Sequence, residues 1–338
     1  MRAVILVGGL GTRLRPLTDA IPKPLVPIAG EPLMTRTLRR LRRQGVTRVT
    51  LAVQYLAAHF RAAYGDGAGL GLDLSIVEEP EPLGTAGAVR YALTAGGAPL
   101  AEPALVLNGD ELTDLDVAAL ARHHRSAGAL ATIAIRAVTD TSAFGVVVCD
   151  WRGMVTAFQE KPAPGTALAN TINSGAYVLE PAAIERIPAG TFAMLERDLF
   201  PRLLAGAAPV AAFAHDSYSQ DIGTLAGYLA ANEAVLLGRL PAEQPLGRQL
   251  APGVWAGAGA SVDPTARLVA PVMLGDGCVV GAGAALRRVI AWERVTIGER
   301  ASLHDVALAS MCHIQPAAVF EGLALGPERA ANASQDHS

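Results

Sequence analysis

Over the first 237 residues, short apolar runs alternate with helical stretches, and this alternation limits the fold more than any other feature of the chain. Residues 2–7 read Arg-Ala-Val-Ile-Leu-Val and stop at Gly8-Gly9, and similar runs recur at 49–53, 74–77, 104–107 and 131–135. They are continuous rather than alternating in polarity, the pattern of parallel strands covered on both faces. Between them, residues 33–44, 86–94 and 116–126 read as helices. In the first of these, Leu33, Met34, Thr37, Leu38 and Leu41 share one face and arginines take the other. Strand alternating with helix predicts a parallel α/β sheet with its functional groups at the carboxyl ends of the strands.

A different period takes over near the C-terminus. After a Pro- and Gln-bearing stretch at 238–252, which reads as a linker, apolar residues return every sixth position at Val262, Leu268, Leu274, Val280 and Leu286. Gly275 and Gly281 directly follow two of them, and a second frame carries Ile297-Gly298 and Leu303. Six-residue repeats with small residues between them predict a parallel β-helix of hexapeptide repeats over 253–325, irregular between Leu286 and Ile297. The polar end, 326–338, is expected to be a disordered tail.

Composition excludes several classes. At 51% hydrophobic and 17% charged residues, disorder is not the main state. No apolar run reaches the roughly 18–20 residues of a membrane span, and the run at 3–7 is too short for a signal-peptide core, so a cytoplasmic protein without a membrane partner is expected. A formal charge of -3 offers no basic field for nucleic acid. Three scattered cysteines, Cys149, Cys278 and Cys312, fit neither a disulfide framework nor a zinc site. The 28 basic residues comprise only two lysines, Lys23 and Lys161. In a chain that otherwise uses arginine, those two are expected where a compact ammonium on a flexible stem is needed.

Both lysines fall in motif-like segments. Gly8-Gly9-Leu10-Gly11-Thr12-Arg13-Leu14 follows the first strand, and its bare backbone can encircle a polyphosphate with Thr12 and Arg13 adding donors. It is neither a dinucleotide fingerprint, since Leu14 stands at the last glycine position, nor a Walker loop, since no Gly-Lys pair exists. Lys23 lies between prolines in Pro22-Lys23-Pro24-Leu25, which fixes the backbone while the ammonium projects.

Gly-Gly-x-Gly-Thr-Arg-Leu followed by Pro-Lys-Pro-Leu resembles the sugar-phosphate nucleotidyltransferases, or NDP-sugar pyrophosphorylases. The resemblance runs on through Gly84-Thr85-Ala86-Gly87, Asn108-Gly109-Asp110, Phe144-Gly145-Val146-Val147, Glu160-Lys161-Pro162, Asn173-Ser174-Gly175-Ala176-Tyr177 and Asp221-Ile222-Gly223-Thr224. It implies a Rossmann-like, mostly parallel nucleotidyltransferase domain over 1–237, with the 253–325 region similar to the short left-handed β-helix many members append. The implied reaction is attack of a sugar 1-phosphate on the α-phosphorus of a nucleoside triphosphate, with pyrophosphate leaving. By resemblance, Asp110 and Asp221 would hold Mg²⁺, and Arg13 and Lys23 would stabilise the transferring phosphates. Lys161 would take the sugar phosphate, with Gly145, Glu160, Asn173 and Gly175 lining the sugar site. Leu6, Gly8, Gly9, Gly11, Thr12, Gln54, Gly84 and Thr85 would surround the nucleotide. Ser219 departs from the family, which usually carries an aromatic residue two positions before Asp221.

The Gly-Thr-Ala-Gly loop and the short β-helix look most like the mannose-1-phosphate guanylyltransferase branch. Glucose 1-phosphate with ATP, UTP or dTTP is the alternative, then a heptose or cyclitol phosphate. A catalytically silent regulatory subunit is a rival of another class, opposed by the presence of Arg13, Lys23, Asp110, Lys161 and Asp221. A second rival is an acyl-transferring β-helix, for which only His304 and His313 offer a base. Open β-helix ends leave strand edges to cover, so a homo-oligomer is expected.

Overall fold

The computed structural model describes residues 1–97 and 99–327, so 328–338 of the expected tail lie outside the described residues. The predicted runs form strands Arg2–Val7, Arg48–Val53, Asp73–Glu78, Ala104–Asn108 and Ala131–Ala137, and the predicted helices are Leu33–Arg43, Gly84–Thr94 and Val117–Ala127. The chain divides into two units: one of Met1–Gly9, Leu38–Gly109 and Leu115–Ser219, the other of Leu10–Thr37, Asp110–Asp114 and the chain from Gln220 onward.

The first unit is built on a nine-stranded mixed sheet. Arg2–Val7 lies between Arg48–Val53 and Ala104–Asn108, parallel to both, and Asp73–Glu78 continues the parallel half. The other half turns antiparallel at Thr171–Leu179, which pairs with Ala104–Asn108 on one side and with Ala131–Ala137 on the other. Gly145–Cys149 and Val155–Glu160 form an antiparallel hairpin at the edge. The core runs through Val4, Val106, Ile133, Tyr177 and Phe200, all fully buried, each aliphatic side chain contributing roughly 1.5–3 kcal/mol by its removal from water. Asp116 caps the Val117–Ala127 helix by accepting from Ala119 N at 2.8 Å, and Gly128, at φ +57°, ends it. His123 and His124 point apart as neighbours on a helix must: His124 is buried between Thr132 Oγ1 at 2.8 Å and Glu180 Oε1 at 3.1 Å, while His123 packs on the Phe213 ring. Trp151 is 86% exposed at a hairpin turn, with the Arg152 guanidinium over its ring.

The arginine face of Leu33–Arg43 is not simply solvated. In the second unit, Arg36 is buried, its Nη1 2.9 Å from Glu243 Oε2 and its Nε donating to Ile28 O. Arg40, in the first, is likewise buried and donates to Leu115 O. A planar fork with several donors can satisfy a buried position in this way, where helical periodicity alone assigns it to water.

The C-terminal coils of the second unit form a parallel β-helix. Val262, Val280, Ile297 and Ile314 stack in one ladder, Leu268, Leu286, Leu303 and Phe320 in a second, and Leu274, Ala291, Leu308 and Leu325 in a third. The irregularity expected after Leu286 has a definite origin. Register slips between Val269 and Val272, so coils of eighteen residues shorten to seventeen, and from there one step in each coil is five residues long: Leu286 to Ala291, Leu303 to Leu308 and Phe320 to Leu325. Small Ala291 conceals the first of these in the sequence. Gly275 and Gly281 sit where a Cβ would lie 2.6 Å from the Trp292 backbone and 2.8 Å from Glu299 N, so the next coil closes directly over them. Helix Leu225–Leu236, capped by the Thr224 hydroxyl, packs against these coils; Trp292 Nε1 donates to Tyr228 Oη, which donates to Pro27 O, each at 2.8 Å.

Candidate active site

The glycine loop leaves its strand and tightens into a helical turn, Thr12–Leu14, that starts at Gly11 with φ +65°. A Cβ at Gly11 would come within 3.2 Å of both Thr18 and Lys23, and the Thr18 hydroxyl donates to Gly11 O at 2.8 Å, so loop and lysine turn are packed together. Thr12 and Arg13 are exposed on this turn. Pro22 and Pro24 frame the next turn, Lys23–Leu25, whose lysine is only 6% exposed. Its Nζ lies 2.7 Å from Asp110 Oδ2 and 3.4 Å from Asp221 Oδ1. Ile222 N donates to Asp110 O at 3.2 Å, which ties the two acidic segments together. Asp221 Oδ1 accepts from Gly223 N, and a Cβ at Gly223 would stand 2.6 Å from that oxygen, 2.9 Å from Lys23 Nζ and 3.0 Å from Arg13 Nη2. Arg13, Lys23 and Asp221 thus converge on the bare backbone of Gly223, and Asp110 joins them through Lys23.

Among the described residues no group of three or more His, Cys, Asp or Glu converges as a metal cage. Two carboxylates meeting at one cationic point are nevertheless the donor set Mg²⁺ takes when substrate phosphates and water complete its shell. Asp110 and Asp221 fit that demand.

In the first unit, Asn108 ends the strand leading to Asp110, and Gly109 N donates to Leu6 O at 3.0 Å. Leu6 is the penultimate residue of the first strand, and Gly9, just beyond it, is exposed with open space around it. Gly8 lies against Gln54, whose Oε1 would be 3.3 Å from a Cβ there. Gly84, at φ +70°, opens the Gly84–Thr94 helix against Ala193 O. The hydroxyl of Thr85 is already engaged: it accepts from Leu195 N at 2.8 Å and donates to Glu196 Oε2 at 3.1 Å.

The sugar-side candidates occupy neighbouring strands. Gly145 and Glu160 are register partners, and a Cβ at Gly145 would meet Phe158 at 2.7 Å and Glu160 Oε2 at 3.0 Å. Lys161 follows with φ +44°, a left-handed conformation that a non-glycine residue adopts at a cost of roughly 1–3 kcal/mol. Its Nζ is 3.9 Å from Glu160 Oε1 and its side chain 63% exposed. Strand Thr171–Leu179 bulges between Asn173 and Tyr177, and Gly175 at φ +65° lies so close to Asn108 that a Cβ would be 2.5 Å from its Nδ2. Asn173 Oδ1 accepts from Gly175 N at 3.0 Å and its Nδ2 donates to Tyr177 Oη at 2.7 Å. Asn108, Gly223, Tyr177 and Glu196 have no place among the sequence candidates. The first three lie inside quoted motifs, whereas Glu196 carries no sequence signal.

A glycine-loop α/β sheet, a lysine held by two carboxylates and an appended β-helix define a nucleotidyltransferase, and the chain belongs to that family: the nucleotidyl transferase profile matches residues 2–237. Among its relatives, the mannose-1-phosphate guanylyltransferase of Mycobacterium tuberculosis is 38% identical over 297 residues, 87% of this chain and 80% of that one. The UTP–glucose-1-phosphate uridylyltransferase of Synechocystis is 32% identical over 335 residues, 90% of this chain and 86% of that one. A solved structure of HddC from Yersinia pseudotuberculosis, complexed with GMP-PN, matches with a TM-score of 0.58 and 32% identity over 69% of this chain and 98% of that one. No helix among the described residues is long and apolar enough to cross a membrane.

Proposed function

We propose that the protein transfers GMP from GTP to mannose 1-phosphate, giving GDP-mannose and pyrophosphate. The observation that carries the reading is the cluster of Arg13, Lys23 and Asp221 at Gly223, with Asp110 joined through Lys23, suited to a polyanion that must be held and neutralised. The sugar-phosphate oxygen forms a bond to the α-phosphorus and the bond from that phosphorus to the bridging oxygen of pyrophosphate breaks. A phosphate monoester has its second pKa near 6, so the nucleophile is an anion at neutral pH and no general base is required.

The residues then act by position and charge. Lys23 and Arg13 neutralise the phosphates of the nucleotide as charge moves to the leaving oxygen. Asp110 and Asp221 would hold Mg²⁺, which when bound supplies further neutralisation of the triphosphate. Lys161 takes the sugar phosphate, and the strained backbone at that residue aims its side chain rather than stabilising the fold. Glu160 and Asn173 offer acceptors and donors to sugar hydroxyls, and the bare backbone at Gly145 and Gly175 leaves them room. Leu6, Gly8, Gly9, Gly11, Thr12, Gln54, Gly84 and Thr85 surround the nucleotide, with the backbone of Gly84-Thr85 reading the base edge.

The test is pyrophosphate release across a grid of GTP, UTP, ATP and dTTP against mannose and glucose 1-phosphates, with Mg²⁺ and with EDTA. One dominant, EDTA-sensitive cell at GTP and mannose 1-phosphate is expected. Dominance of UTP with glucose 1-phosphate, which the relative from Synechocystis makes the second reading, would replace the substrates and keep the chemistry; a blank grid from folded protein would overturn both.

A further inference from the structure

Glu196 stands at the centre of a hydrogen-bond chain that the transfer chemistry leaves unused. It lies in a wide helical turn, Leu195–Leu199, and each of its carboxylate oxygens takes one hydroxyl: Oε2 accepts from Thr85 Oγ1 and Oε1 from Tyr177 Oη, both at 3.1 Å. The Thr85 arm ends in the loop itself, since Thr85 directly follows Gly84, and Leu195 N beside Glu196 donates to the same hydroxyl. The Tyr177 arm leads through Asn173 Nδ2 to Gly175 N, the bulged segment on the sugar side. Tyr177 is fully buried, so these bonds have no cheap replacement in water.

Thr85 Oγ1 accepts from a backbone N–H and Tyr177 Oη accepts from an amide, and each hydroxyl donates to a Glu196 oxygen, with Met194 Sδ at 3.9 Å a weaker second acceptor for Thr85. Glutamine here would present one N–H₂ to a hydroxyl that is already receiving a donor. A carboxylate takes a proton from both arms at once.

We propose that Glu196 is a positioning residue that sets the Gly84-Thr85 loop and the Asn173–Gly175 segment as one piece, coupling nucleotide recognition to sugar-phosphate recognition without touching either substrate. The inference rests on the transferase reading above. Its test compares the KM for nucleotide and for sugar 1-phosphate in wild type, E196A, E196Q, Y177F and T85V, and in the double variants T85V/E196A and Y177F/E196A.

Y177F is expected to raise the KM for sugar 1-phosphate about five- to tenfold and leave that for nucleotide within twofold, since both the bond to Glu196 and the one Asn173 Nδ2 donates are lost. E196A is expected to raise both KM values by similar factors, and E196Q chiefly one of them. In the T85V background E196A adds nothing further to the nucleotide KM, and in the Y177F background nothing to the sugar KM, because each effect runs through its arm. E196A with either KM unchanged, or additive effects in the double variants, overturns the proposal. A residue that only supports the fold would lower the melting temperature and leave both KM values in place. Should E196A not fold, Y177F with an unaltered sugar KM, or E196Q with both KM values unaltered, overturns it equally. Wild type without turnover on any pair defeats the transferase reading itself and this inference with it, whereas active wild type with unmoved variants defeats the inference alone.

Discussion

Gly223→Ala is the smallest change that disturbs the charged cluster while sparing the fold. The glycine is not in the left-handed region, so alanine can adopt its backbone conformation, and the cost is one of space alone. The added methyl would meet Asp221 Oδ1 at 2.6 Å, Lys23 Nζ at 2.9 Å and Arg13 Nη2 at 3.0 Å. Normal contact begins near 3.5 Å, so the Asp221 carboxylate has to retreat by close to ~1 Å and the two cations by about half that. A misplacement of ~1 Å at a reacting centre costs on the order of 100-fold, equivalent to about 2.7 kcal/mol of transition-state stabilisation. Asp221 is 55% exposed and gives way toward solvent, so the melting temperature should move by no more than a few degrees. Steady-state pyrophosphate release and a thermal melt on the same preparation decide the matter. Folded G223A with kcat/KM within threefold of wild type would refute the claim that these three side chains act together at this point.

Asp110→Ala and Lys161→Ala are each expected to abolish turnover with an unchanged circular dichroism spectrum, and wild-type rates in either would remove that residue from the site. Gly275→Ala forces a methyl to 2.6 Å from the Trp292 backbone and should destabilise the protein by about 1–3 kcal/mol in a denaturant titration; an unchanged midpoint would contradict the coil packing. Burial pushes the Cys312 thiol up to about 11 and raises Cys278 as well, so both stay protonated at pH 8 and native protein should resist a thiol-specific disulfide reagent until it unfolds. Because the folded state holds these protons above the ordinary thiol value of about 8.5, stability falls as pH climbs from there toward 11; rapid native labelling at pH 8, or stability flat across that range, would contradict the burial. Strand edges at the ends of a β-helix favour pairing between copies, so a homo-oligomer is expected, which a monomeric mass by light scattering at micromolar concentration would exclude.

Much of this was legible in the residues because the relevant signals are local. Continuous apolar runs ended by glycine give parallel strands wherever both faces are covered, and the strand ends come out within two residues of the runs. The scarcity of lysine marked two positions, and both proved unusual: Lys23 buried between carboxylates, Lys161 held at positive φ. What stayed hidden depends on contacts distant in sequence. Glu196 is one acidic residue among several on a surface turn until Thr85 and Tyr177, more than 100 and 19 positions away, meet it. Arg36 reads as a solvated helix face until Glu243 supplies a partner across 207 positions. The β-helix period broke because a five-residue step ended on small Ala291, which a count of large apolar residues passes over.

The central claim is that a nucleoside monophosphate, and not a phosphoryl group, is transferred to a sugar 1-phosphate. Incubation with mannose 1-phosphate and Mg²⁺, using GTP labelled at the α-phosphate in one reaction and at the γ-phosphate in another, tests it directly. The account predicts α-label in a nucleotide-sugar product and γ-label wholly in pyrophosphate. γ-Label appearing on the sugar, or as free phosphate with no α-labelled product, would contradict it.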